Sequence, residues 1–431
     1  MNLGTTWATW GRSCVNCARK IGDGVALIAL NRGLNRGRSC VNFICLNFAN
    51  SLNSLRSANG KKATPSPIWS PIWAIGIVLA MFLASCSDSN SVKKGDDPPV
   101  TGTENIAVIT ISSDFSAANF EVISIDDYTV TPNLYPGLHT DLTIRTFNSE
   151  IYILERFLSD KVIKYDAQLR EVYIEPLSPG LNIQDIVVVS RTKAYISALG
   201  SSDLIVFNPF TGKQISTIDL SEFAAFAGTE DAAEHPFASA LAVYGDFVYV
   251  ACQRLDASFG VADVSQIAII NINDDKVVGS IDLNRKNPTA MSVFGSKMLV
   301  ASAGDYGFEE DGGIELIDLA SNKNEGVIAD GVFTDVIFVS ADKAYIAEML
   351  PDWSTGISPL DLSTKTVGTA ITGIGDGSGK MAFHDGKLYV GDRGFGSAGV
   401  AVVSISTNTV DQTIATGMPP AGLGYFSRIN L

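Results

Sequence analysis

The chain has three histidines, and their surroundings limit the chemistry open to them. His139 falls in a linker ahead of a strand, and His384-Asp385-Gly386 reads as a tight turn. His235 is different: it stands before Pro236 in a long loop, beside Glu234 and Asp231, where an imidazole could act as a general base. A hydrolase built there would need His235, Glu234 and Arg254 to converge within hydrogen-bonding reach. A second set of chemical groups follows one strand of a repeating unit: Glu155-Arg156, Gln253-Arg254, Glu348 and Asp392-Arg393. If the units align, these groups ring one opening, where the guanidinium forks could hold a carboxylate or phosphate. Ion pairing between neighbouring units is the plainer use of the same groups. Trp353 lies in the same loop layer and offers an aromatic contact to a partner or a glycan. The run from Ala303 to Gly313 carries Asp305, Glu309, Glu310 and Asp311, hard oxygen donors of the kind that hold Ca²⁺. Its spacing is not that of an EF-hand, and a solvated charge run is the plainer reading. No Gly-x-Ser-x-Gly elbow, phosphate-cradling glycine loop or dinucleotide fingerprint is found, so binding is favoured over catalysis.

These groups must be positioned by a repeat that begins near Asn105. A short alternating strand recurs at Ile106-Ala107-Val108, Tyr152, Tyr195, Tyr249, Leu299, Tyr345 and Tyr389, spaced by 45, 43, 54, 50, 46 and 44 residues. Ahead of most copies sits another strand and a tight turn, as in Leu241 to Asp246; after each comes a polar hairpin, as in 265–283. Four short strands per unit with Gly, Asn and Asp turns is the pattern of a propeller blade, and no blade can bury both faces alone. Seven outer hairpins predict an all-β, seven-bladed propeller over 105–431. The first blade lacks an inner strand ahead of Asn105, and Gly422-Leu423-Gly424-Tyr425-Phe426 is a strand without a blade. Pairing the two closes the ring and removes the exposed edge.

Leu388-Tyr389-Val390, Val400 to Ser404, Thr407-Asn408-Thr409-Val410, Thr413-Ile414, and then Pro420, Gly422 and Leu423 follow one repeat wording. That wording resembles the YVTN-type family of bacterial propellers, which includes surface-layer-like and lipoprotein members. The resemblance implies a propeller and leaves function open. Some seven-bladed propellers of similar repeat structure open sugar lactones, so a lactonase-like hydrolase acting at the central channel is the alternative to a binding module. Insertions at 221–238, 253–264, 303–312, 347–355 and 391–398 all fall on one face of such a propeller. That face is the expected place for binding.

The N-terminal part has a different character. Residues 1–85 hold nine Lys/Arg and one acid, against 22 basic and 45 acidic residues beyond, a net charge of −23. A body this acidic is repelled by phosphate backbones, so nucleic acid is excluded as a partner. Thirteen apolar residues from Ile72 to Ala84 are too few to span a bilayer and match a signal-peptide core, with Lys61 and Lys62 upstream. Leu83-Ala84-Ser85-Cys86 ends the run and resembles a lipobox, which implies lipidation of the Cys86 thiol after cleavage. Residues 61–85 are thus read as a lipoprotein signal peptide, and 86–104 as a flexible tether rich in Ser, Asp and Pro. Residues 1–60, with Gly-Arg-Ser-Cys-Val-Asn at 11–16 and again at 37–42, are read as an extension from a start assigned too far upstream. Cys252, in an apolar run, is read as a buried thiol. The whole predicts a monomeric, lipid-anchored propeller of the bacterial cell envelope, at the outer membrane, that binds an envelope protein or glycan.

Overall fold

The computed structural model describes residues 103–428, apart from 136, 257, 306–310, 379, 395 and 397, together with two strands nearer the N-terminus. Those two, Val25–Asn31 and Val41–Asn47, pair antiparallel. Cys86, the run read as a signal peptide and the expected tether up to residue 102 lie outside the described residues, as do Glu309 and Glu310.

From Glu104 onward the chain forms seven four-stranded antiparallel sheets. Blade 2 shows the order: inner strand Leu142–Phe147, second strand Glu150–Glu155, third Lys161–Tyr165 and outer Glu171–Pro176. Inner strands of the following blades are Ile183–Ser190, Ala238–Tyr244, Pro288–Phe294, Phe333–Phe338 and Ala382–His384. Blade 1 takes its inner strand from the far end of the chain. Pro420–Ser427 pairs with Glu104–Ile111, with Ala107 opposite Gly424 and Asn105 opposite Phe426, as the unpaired strands of the sequence required. Gly424 is needed there because a Cβ would lie 2.6 Å from the Thr146 side chain of blade 2.

Alternation along each strand sends one set of side chains into the layer between a blade and its neighbour. One core cluster joins Tyr195, Leu204 and Val206 of blade 3 to Leu241, Val248 and Ala268 of blade 4, and other blade pairs repeat it. Cys252 is fully buried in that layer, and burial pushes its thiol up to about 12, which leaves it unreactive.

A polar clasp fastens blade to blade at the rim of this apolar layer. The Tyr195 hydroxyl of blade 3 donates to Asp275 of blade 4 (2.5 Å), Tyr249 of blade 4 to Asn322 of blade 5 (2.8 Å), and Tyr345 of blade 6 to Asn408 of blade 7 (2.6 Å). Each acceptor is the left-handed residue of the hairpin between third and outer strands, with φ of 55°, 52° and 56°. Asn and Asp tolerate that conformation, and they present an oxygen at the same time. Lys193 and Lys343 reinforce two clasps, reaching Asp275 and Asn408 at 2.8 Å.

Burial pushes the Tyr249 and Tyr345 hydroxyls up to about 12, against an ordinary value near 10. Folding therefore favours the neutral phenol, a contribution that is complete below pH ~10 and lost as pH rises through about 12. Thermal melts should fall steeply over that window. Tyr345→Phe should cost about 1 kcal/mol in urea unfolding at neutral pH.

Candidate functional site

The inner strands enclose a central cavity of about 1110 Å³. It runs from a charged layer at Arg145, Asp335 and Lys380 toward the short-turn end, where Asn148 and Ser149 border it. Asp185 and Asp335 occupy equivalent places in blades 3 and 6. Each is two residues into its inner strand, at a β-bulge, and each accepts a backbone N–H from the next blade's inner segment: Leu241 to Asp185 at 2.9 Å, Met381 to Asp335 at 2.8 Å.

Their cationic partners differ. Arg145 of blade 2 donates to Asp185 through Nε and Nη2 at 2.6 and 2.5 Å, a bidentate pair. Arg145 is packed deep among protein atoms, yet 30% of its side-chain surface is open to the cavity it lines. Burial opposes ionisation of Asp185, but Arg145 and Lys380 outweigh it and hold the carboxyl below its usual range. Asp335 is 6% exposed and, among the described residues, has no cation within ion-pair distance. Burial pushes its carboxyl up despite Lys380. Lys380 stands just before the blade 7 inner strand with φ of 65°, and no hydrogen-bond partner of its ammonium is found among the described residues. Burial, and then repulsion from Arg145, pushes its pKa down.

The groups that the sequence placed around the opening are engaged with neighbouring loops and blades. Glu155 is buried and accepts from His139 N, Ser159 Oγ and Lys161 Nζ at 2.8, 2.5 and 2.9 Å. Arg156 spans Asp141 of its own blade and Gln184 of the next. Gln253 donates to the Pro288 carbonyl at 3.2 Å, and the Arg254 guanidinium is held by Gln266 and Asp263. Asp392 is fully buried and accepts from the backbone of Gly375, Asp376 and Gly394, while Arg393 leans on Asp376. Glu348 is half-buried near Gly331. These side chains pin loops and neighbouring blades at the long-loop end. His235 meets Ser202 Oγ at 3.3 Å and an exposed Glu234 at 3.8 Å, while the Arg254 guanidinium is engaged with Gln266 and Asp263. Asp305 is exposed and Asp311 pairs with Lys286 at 3.3 Å. No metal-holding group of three or more ligands occurs among the described residues.

The long-loop end carries a second feature. Phe115, Leu158, Phe226, Phe259 and Trp353 are all exposed there, and all have positive φ, between 54° and 68°. Phe115 and Trp353, 72% and 70% exposed, share one local design, Asp-aromatic-Ser. Asp114 accepts from Ser116 N and Oγ at 3.1 and 2.7 Å, and Asp352 from Ser354 N and Oγ at 3.0 and 2.6 Å. A bulky side chain in the left-handed region is strained, and such strain collects where a surface has work to do.

Fold and channel thus define a seven-bladed, all-β propeller with a charged central cavity. Solved structures with this architecture include hydrazine synthase of Kuenenia stuttgartiensis, 15% identical, covering 65% of this chain and 88% of that one with a TM-score of 0.52. The dihydro-heme d1 dehydrogenase NirN is 15% identical over 75% of this chain and 66% of its own, with a TM-score of 0.50. AztD of Citrobacter koseri is 12% identical over 75% and 98%, with a TM-score of 0.48. At these identities the likeness is one of fold. No protein-family model and no curated protein sequence matches the chain.

Asp185→Asn should remove the counter-charge of Arg145 and lower stability by about 3 kcal/mol, the lower end for a buried pair because Arg145 touches the cavity. Arg145→Met with Asp185→Leu should lose less than Asp185→Asn alone, as read by urea denaturation.

Proposed function

We propose that this chain is a lipid-anchored binding module of the bacterial cell envelope, which docks a protein partner through its long-loop end. The observation that carries the reading is the set of five exposed apolar side chains held in left-handed loop tips at that end, two of them on matching Asp-aromatic-Ser turns. Aromatic residues are enriched in protein interfaces, and scattered loop tips on a rigid ring can meet one partner together. Phe and Leu outnumber Trp among the five, which favours a protein surface over a glycan. The acidic body, with a net charge of −23 beyond residue 85, opposes direct adhesion to anionic lipid. Membrane attachment then falls to Cys86, on the basic flank, short apolar run and small residues ahead of it. The repeat wording near the C-terminus supports placing the propeller with the YVTN type. No helix among the described residues is long and apolar enough to cross a membrane.

Two measurements test the reading. Cys86→Ser should move the protein from the membrane fraction to the soluble fraction and abolish labelling by a lipid precursor; unchanged fractionation and labelling would contradict the anchor. Phe115→Gly with Trp353→Gly relieves two strained backbones, so the melting temperature should hold or rise. Capture of the partner from detergent-solubilised envelopes should nevertheless fall about tenfold or more, as expected on loss of interface hot spots. Undiminished capture would remove the docking role from these tips.

A further inference from the structure

The docking tips lie at one end of the ring, and the central cavity reaches toward the other. The cavity has the composition of a small-molecule site: mostly apolar walls with a few charged groups at one level. Its charges divide unevenly. Arg145 and Asp185 satisfy one another through two short hydrogen bonds. Asp335 and Lys380 are left, a buried carboxylate and a half-buried ammonium that both line the cavity and form no ion pair with each other. Asp335 is more than nine-tenths buried and accepts from the backbone of Met381 and Val336. Asp335 and Lys380 offset one another only at a distance, without a direct ion pair, and both gain when something enters that carries the two opposite charges.

We propose that the cavity binds a small zwitterion with an apolar side chain, of the amino acid or short-peptide class. Its ammonium meets Asp335, its carboxylate meets Lys380, and Arg145 adds positive potential from beside them. The apolar part lies against Leu241, Met291, Val336 and Phe383, which line the same cavity. Arg145, fixed by Asp185, keeps its orientation whether or not a ligand is present. A simple anion would leave Asp335 unpaired, and a simple cation would leave Lys380 unpaired. Either deficit weakens binding, because a site built for a polar group rejects the analogue that lacks it.

Titration calorimetry of the purified propeller with L-leucine, L-phenylalanine and Leu-Leu dipeptide tests this directly. At least one should bind saturably. Its amide, which lacks the carboxylate, and its des-amino acid, which lacks the ammonium, should each bind about tenfold or more weakly. Lys380→Met should discriminate no longer between the acid and its amide, and Asp335→Asn no longer between the amine and its des-amino analogue. If the variants do not fold, the analogue series on the unaltered protein decides alone. Absence of binding by all three zwitterions, or equal binding by the single-charge analogues, would overturn the proposal.

Discussion

Everything else in the molecule depends on the contact between one blade and the next. A four-stranded sheet with two apolar faces has no stable existence in water by itself, and here each face is covered only by a neighbouring blade. The apolar layer supplies attraction without direction. Direction comes from the polar clasps at its rim, in which a tyrosine hydroxyl of one blade reaches the left-handed Asp or Asn of the next blade's hairpin. Each clasp sets the height of one blade against its neighbour. Those blades are thereby held in register, and Asp185 and Asp335, three blades apart, lie within electrostatic reach of Lys380 and Arg145.

The ring's closure has the same logic. Pairing Glu104–Ile111 with Pro420–Ser427 joins the two ends of the repeat, so local opening of any blade must break contacts distant in sequence. A scaffold so closed can hold strained loop tips, because the cost of five left-handed apolar residues is spread over a large cooperative core. The two ends of the ring thereby become separable surfaces: a crown of apolar tips on long loops, and a cavity reaching the short turns.

Much of the fold was legible in the sequence. A period near 45 residues, a Tyr at the same place in five units and an orphan strand at each end specify blades, their number and their closure. The site was less legible, for a physical reason. The polar and charged residues at the ends of the second strands, Glu155, Gln253 and Asp392, satisfy backbone groups of neighbouring segments, which spacing alone does not reveal. The channel charges sit inside inner strands, as single interruptions of apolar runs: Arg145 after Thr143-Ile144, Asp185 before Ile186-Val187-Val188, Asp335 before Val336-Ile337. The recurrence of Asp before a β-branched run in two blades was the available signal. Lys380 precedes a strand of three residues, and nothing in its spacing marks it. Trp353 was expected in the loop layer and lies there; its relation to Phe115 through the shared Asp-aromatic-Ser wording becomes evident only when both turns are seen to adopt the same backbone.

The proposed docking surface is the long-loop end. Placing a photo-crosslinking amino acid at position 353, and separately at position 210 on the opposite end, would test it in intact cells. A discrete crosslinked protein species is expected from position 353 and none from 210. Crosslinks from 210 alone, or the same species from both ends, would contradict it.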